Sequence, residues 1–172
     1  MSFSAFGVIS VLLIAVGTIA CLDREDYVEN VELRRGYKLK YKAETWMDAK
    51  KSCKDENGKL AVPKSEAEFN AIQSVVRSMV FPDITGWTGS CYLVWIGISN
   101  LDDYRVWRNV DGEDIESTGF SSFAKGNGSK HSNDRREPHC AAVDAVNLLR
   151  SFWCHQKQPY VCEYVLIDVN VQ

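Results

Sequence analysis

Six cysteines constrain what this chain can fold into more than any other feature. Cys21, Cys53, Cys91, Cys140, Cys154 and Cys162 are spread along 172 residues, three of them in the last third and none in a C-x-x-C pair. Zinc ribbons and thioredoxin-type sites need closely spaced pairs, so structural bridges are the better reading, although spacing alone leaves their connectivity open. Ahead of them, Met1 to Ala20 carry no charge, and Val8 to Val16 form a dense apolar run followed by the small residues Thr18 and Ala20. A run this short suits a secretory signal peptide over residues 1–20 better than a bilayer-spanning anchor, with cleavage after Ala20 or Cys21. No second apolar run follows, so no membrane anchor is expected in the mature chain. The expected product is secreted and extracellular, where disulfides persist.

The rest reads as one domain without repeats or linkers. A hydrophobic content of 45% is enough for a single core, and a formal charge of −3 without a basic stripe argues against a nucleic-acid partner. Loose alternation of Val31, Leu33, Tyr37, Leu39 and Tyr41 predicts one or two opening strands over residues 32–41. A helix is expected from about Thr45 to Glu56, with Thr45 as N-cap, Trp46, Ala49 and Cys53 on one face, and Asn57-Gly58 ending it. A second begins at Ser65, where Ser-Glu-Ala-Glu matches a capping box with Glu68. Its inner face is Phe69, Ile72, Val75, Val76 and Met79, and Pro82 is expected to stop it.

Tyr92 to Ile98 is a continuous apolar run that suits a buried central strand, and Arg105 to Trp107 is expected to start a short one. From Asp111 to Pro138 the chain is polar and glycine-rich; an irregular stretch of that length in a compact domain is functional or disordered. Two final strands, around Cys140 to Val146 and Tyr160 to Leu166, complete an α+β domain.

At this point the residues resemble the C-type lectin-like family, over about Gly36 to Tyr164. Tyr41, Thr45, Trp46, Ala49 and Cys53 are similar to its first-helix pattern, and Gly58 to Val62 followed by Ser65-Glu66-Ala67-Glu68 to its approach to the second helix. Trp95-Ile96-Gly97-Ile98 resembles the W-I-G-L core strand, and Cys140, Cys154 and Cys162-Glu163 the closing C…C…C-E pattern. Four such elements in the right order are specific where one alone is weak. The opening region and tryptophan-rich core are also similar to single-domain lectins of insect haemolymph, some of which bind bacterial lipopolysaccharide. The resemblance implies two helices packed on antiparallel sheets with a long irregular loop, a domain over residues 36–165 after an N-terminal segment 21–35, and a tail from 166 to 172. It further implies the bridges Cys53–Cys162 and Cys140–Cys154. Cys21 and Cys91 are left over; they pair with one another, or Cys91 is unpaired or joins two chains.

In sugar-binding members one calcium ion bridges the protein and two sugar hydroxyls, and calcium takes six to eight oxygen ligands. The family supplies a Glu-Pro-Asn or Gln-Pro-Asp triplet, a Glu two residues before the third-strand cysteine, and an Asn-Asp pair after a Trp. Counting back from Cys154, that last triplet falls on Leu149-Arg150-Ser151, which places a fixed positive charge where a cation should sit. The loop triplet falls on Asn127-Gly128-Ser129 or His131-Ser132-Asn133, and the Glu position on Pro138 with Glu137 one residue away. The primary calcium ligands are therefore read as lost, no cofactor is expected, and a rebuilt calcium set would have to draw on Asn133, Asp134, Glu137 and Asp144. His131, His139 and His155 lack zinc-ligand spacing and read as surface residues.

The ligand-binding candidates on the loop face are thus Asn127, Ser129, Asn133, Asp134, Glu137, Arg150 and Ser151. Asn127-Gly128-Ser129 is the one N-x-S/T sequon, a candidate glycosylation site. Lys125, Lys130, Arg135, Arg136 and Arg150 could gather for anionic partners; Phe152 and Trp153 read as core or rim packing. No nucleophile elbow, H-E-x-x-H helix or phosphate loop is present, so an enzyme is not expected. The expected function is innate-immune recognition of glycans or a microbial surface glycolipid, with calcium-independent binding allowed. The alternative is a protein-binding immune modulator or decoy that engages a cell-surface or plasma protein.

Overall fold

A computed structural model describes residues 27–90, 92–128 and 139–166. The signal segment, the Cys21–Cys91 pairing, Ser129, Asn133, Asp134, Glu137 and the C-terminal tail from 167 lie outside the described residues.

The chain opens with β1 (Val28–Asn30) and β2 (Arg35–Glu44), which pair antiparallel. The opening strands start earlier than the alternation predicts. Residues 31–34 form the turn between them, with Val31 exposed and Arg34 at φ +52°. Next comes α1 (Trp46–Asp55), where Thr45 accepts from the Asp48 N–H as predicted, and Asn57 takes a left-handed φ of +60° just beyond it.

After β3 (Lys59–Leu60), α2 runs over Glu66–Arg77. Ser65 accepts from the Glu68 N–H, but the Glu68 carboxylate takes the N–H of Lys64 rather than that of Ser65, so the box is shifted by one residue. Pro82 does not stop this helix. It ends at Arg77, where the Ser78 hydroxyl donates to the Val75 carbonyl, and Pro82 sits in a following 3-10 turn. Met79, past the helix end, is still buried.

The predicted central strand is β4 (Val94–Ser99), buried along its whole length, while Tyr92 stays exposed ahead of it. The short strand predicted at Arg105 to Trp107 is instead β5 (Arg108–Asn109), with Trp107 buried just before it. Three closing strands form rather than two: β6 (His139–Val143), β7 (Arg150–Trp153) and β8 (Gln158–Val165). All pair into one sheet, ordered β1-β2-β8-β4-β6-β7, with β3 on β8 and β5 on β4. Every pairing is antiparallel except β4 with β8, where Trp95 meets Tyr160 in parallel. The α+β architecture expected from the sequence is therefore present, as a single mixed sheet with two helices.

The pleat of β4 divides the core. Val94, Ile96 and Ile98 pack with Phe69, Ile72, Val75 and Val76 of α2. Trp95 points the other way, among Trp46, Ala49, Leu60 and Tyr160. The two indoles are pinned by buried bonds, from Trp46 Nε1 to the Ile96 carbonyl (2.7 Å) and from Trp95 Nε1 to the Glu44 carbonyl (3.1 Å). Gly97 is required by close approach: a Cβ there would lie 2.6 Å from the Leu60 carbonyl oxygen. Both expected bridges are present. Cys53–Cys162 ties α1 to β8, and Cys140–Cys154 ties β6 to the residue after β7.

Candidate functional site

Beyond Val143 the chain leaves β6, turns, and returns as β7. Asp144 organises that turn. Its Oδ1 accepts from the Val146 and Asn147 N–H groups (2.9 and 2.6 Å), and its Oδ2 from the Asn147 side-chain amide (2.8 Å) and Arg150 Nη1 (3.3 Å). Burial works against the charge of this carboxyl. The bonds from Asn147 and Val146 and the Arg150 guanidinium outweigh it and hold Asp144 below the usual carboxylate range. From behind, α2 braces the same turn: Gln73 Nε2 donates to the Asp144 and Asn147 carbonyls, and Arg77 Nε to the Ala145 carbonyl (2.8 Å).

The outer edge of β7 is covered by residues 122–128. Ala124 N–H donates to the Leu149 carbonyl and Leu149 N–H to that of Ser122. Asn127 Oδ1 then accepts from the Ser151 N–H (3.0 Å) and its hydroxyl (3.4 Å). Of the ligand candidates read from sequence, the structure thus brings Asn127 and Ser151 together, with Arg150 as the neighbour of Ser151. The Arg150–Asp144 ion pair was not read from the sequence as a pair. Of the basic cluster, Lys125 and Arg150 are described. Phe152 is half-buried against Trp95 and Trp153, and Trp153 is 43% exposed.

This arrangement does not suit a divalent cation at the Leu149-Arg150-Ser151 position. Leu149 is buried in the core, Arg150 brings its own charge and has drawn the nearby carboxylate to itself, and Ser151 is engaged by Asn127. Among the described residues no three His, Cys, Asp or Glu side chains converge to hold a metal ion.

Sequence reasoning missed a cleft of about 490 Å³ beside this turn, between the end of α2 and β7. Its wall is apolar, with Val76, Met79, Phe81, Tyr92, Leu93 and Phe152, while Arg77, Asp144 and Arg150 supply its charge. Phe81, Tyr92 and Val146 are exposed, and the first two rings meet edge to face at 5.7 Å. Their apolar character was visible in the sequence, but nothing there joined four separate segments into one wall. A second, more polar cleft of about 380 Å³ lies across the turn, with Glu66, Asn70, Ser122 and Asn147 on its lining.

Comparison with known proteins places these features. A family model described as the lectin C-type domain matches residues 42–164. The hemolymph lipopolysaccharide-binding protein of Periplaneta americana is 25% identical over 130 residues, 76% of this chain and 49% of that protein. The chain therefore spans about half the length of that relative. Among solved structures, the carbohydrate-recognition domain of mouse scavenger receptor C-type lectin aligns with a TM-score of 0.65 at 19% identity, over 84% of this chain and 97% of that one. The cow CD23 domain, solved in the presence of a GlcNAc2Man3 oligosaccharide, gives 0.61 at 17% identity, over 82% and 94%. Human lithostathine gives 0.61 at 20%, over 82% and 89%. At these identities the structural likeness is one of fold.

Proposed function

This chain belongs to the C-type lectin domain family, and from that premise we propose that it is a secreted recognition protein which binds carbohydrate or a microbial surface glycolipid through its loop face, with no calcium ion bridging the ligand at Arg150 and Ser151. The Arg150–Asp144 ion pair carries the reading, because a guanidinium held by the nearest carboxylate is a built-in cation where a sugar-binding relative would use a metal. Such a site can still hold sugar hydroxyls and anionic substituents, through Arg150 and through the second cleft's amides and carboxylate. The likeness to a lipopolysaccharide-binding haemolymph protein supports the microbial side of the proposal. No helix among the described residues is long and apolar enough to cross a membrane, which is compatible with secretion.

The test is binding of the mature protein to a glycan panel and to lipopolysaccharide, once with calcium and once with a chelator. Binding that survives the chelator is the expected result; silence in both conditions, or binding that the chelator abolishes, would remove the proposal. A glycan on Asn127 belongs to the same reading, and intact mass before and after amidase treatment checks it. A protein partner is the second reading, favoured by Trp87, which is 86% exposed and of a residue type enriched at interface hot spots.

A further inference from the structure

The apolar cleft between α2 and β7 has a chemistry that hydroxyl recognition does not use. Its volume of about 490 Å³ lies in the range of small-molecule sites, about 300–1,000 Å³, and it is open to solvent past Phe81, Tyr92 and Val146. Phe81, Val146 and Phe152 on its wall offer a sugar hydroxyl no partner, and each hydroxyl buried there without one costs free energy. A hydrocarbon chain is the natural occupant.

The charge at the rim narrows the choice. Two guanidiniums, Arg77 and Arg150, share the lining with one carboxylate, Asp144, so its charge is net positive. Arg77 spends its described bonds on neutral groups, the Ala145 carbonyl and the Gln73 side chain, and among the described residues no carboxylate pairs with it. Arg150 reaches Asp144 through Nη1 alone, and its Nε is buried without a partner. A guanidinium with donors left over favours an anion, and phosphate suits its fork geometry.

We infer that this cleft takes an acyl chain of a phosphorylated glycolipid, with the chain against the exposed Phe81 and Tyr92 rings and the half-buried Phe152, and the phosphate at Arg77 and Arg150. The inference rests on the recognition reading above and names which part of the ligand this face holds: the lipid end rather than the sugar. Val146, in the Asp144 turn, then covers the chain, and the turn is braced on α2 by Gln73 and Arg77.

The test uses the mature secreted chain and dodecyl phosphate as monomer, followed by titration calorimetry. Dodecyl maltoside supplies the same chain on a neutral head, inorganic phosphate the anion alone, and polysaccharide stripped of its acyl chains the sugar alone. Dodecyl phosphate should bind at least about tenfold more tightly than dodecyl maltoside, and inorganic phosphate should not register. Val146→Asp and Tyr92→Asp, both at exposed positions that leave the core alone, should weaken dodecyl phosphate about tenfold or more while the thermal transition stays in place. Arg77→Gln should erase most of the preference for phosphate over maltoside. Equal binding of the two amphiphiles, binding of phosphate alone, or indifference to both aspartate variants would each overturn the inference. Stripped polysaccharide that binds while dodecyl phosphate does not would sink the lipid cleft and leave the recognition reading standing. The reverse pattern would keep the cleft and remove carbohydrate recognition.

Discussion

The half of the sheet around α1 and the half around the Asp144 turn are held together by different means. At α1, Trp46, Ala49 and Leu60 pack on Trp95 and Tyr160, and the Cys53–Cys162 bridge passes through the middle of that cluster. The other half has the shorter Cys140–Cys154 bridge and buried Val143 and Leu149 at its base, but the turn itself is held by polar bonds: four donors on Asp144, Gln73 and Arg77 on its carbonyls, Asn127 on Ser151. Apolar packing plus a covalent link tolerates few residue types at each position. A polar turn can exchange its side chains one at a time without disturbing the frame.

Breaking the bridges tests that contrast most strongly. Cys53–Cys162 spans 109 residues and Cys140–Cys154 spans 14. Chain-entropy arguments therefore put the loss at about 5 kcal/mol for the first and about 3 kcal/mol for the second. Paired Cys→Ala variants followed by urea unfolding measure both. A larger loss at Cys140–Cys154 would mean that the turn half, not the α1 half, carries the frame.

Gly97→Ala comes next. The added methyl would meet the Leu60 carbonyl at 2.6 Å and Val62 Cγ2 at 2.9 Å, backbone on one side and a buried side chain on the other. Overpacking of this kind costs about 1–3 kcal/mol. The expected outcome is a lower urea midpoint with ligand affinity unchanged in the folded fraction, because β4 lies behind the turn and contributes nothing to its surface. A variant as stable as the parent would show that β3 can move away from β4 freely.

What the sequence made legible follows the same division. Thr45 and Ser65 could be read as caps because a cap is a local matter of one side chain and an N–H three residues on. Trp95 to Ile98 could be read as buried because apolar runs of that length have few other uses. β7 could not: Arg150 to Trp153 has a mixed pattern and becomes a strand through its ladder with β6 and the cover of residues 122–128. The end of α2 was misplaced for a related reason, since Pro82 is an obvious breaker while the Ser78 hydroxyl that satisfies the last turn looks ordinary. In sequence Asp144 reads as a candidate oxygen ligand and Arg150 as part of a basic cluster, and nothing there reveals the turn that joins them. The cleft drew on four segments at once and had no local signature at all.

The smallest expected effects are in pH dependence, where two buried carboxyls, Asp144 and Glu163, should behave with opposite sign. Asp144 is held below the usual carboxylate range, so its contribution is complete above the unfolded value of about 3.9 and is lost as pH falls through the lower folded value. Glu163, on β8 beside Cys162, is the reverse case. It is buried, and although the Val62 N–H and Lys59 favour its charged form, burial dominates and pushes its carboxyl up. The folded state then binds that proton more readily, so this group's stabilisation is present below the unfolded value of about 4.3 and is lost as pH rises through the raised one. Asp144→Asn should therefore cost less at pH 3 than at neutrality, where the loss is about 1 kcal/mol, a modest figure because Arg150 is partly in water. Glu163→Gln should cost more at pH 4 than at pH 7. Urea midpoints of the two variants and the parent between pH 3 and 7 measure both differences. Differences that ran in the same direction would mean that the buried glutamate is stabilised as an anion after all, and that Lys59 and Val62 do for Glu163 what Arg150 and Asn147 do for Asp144.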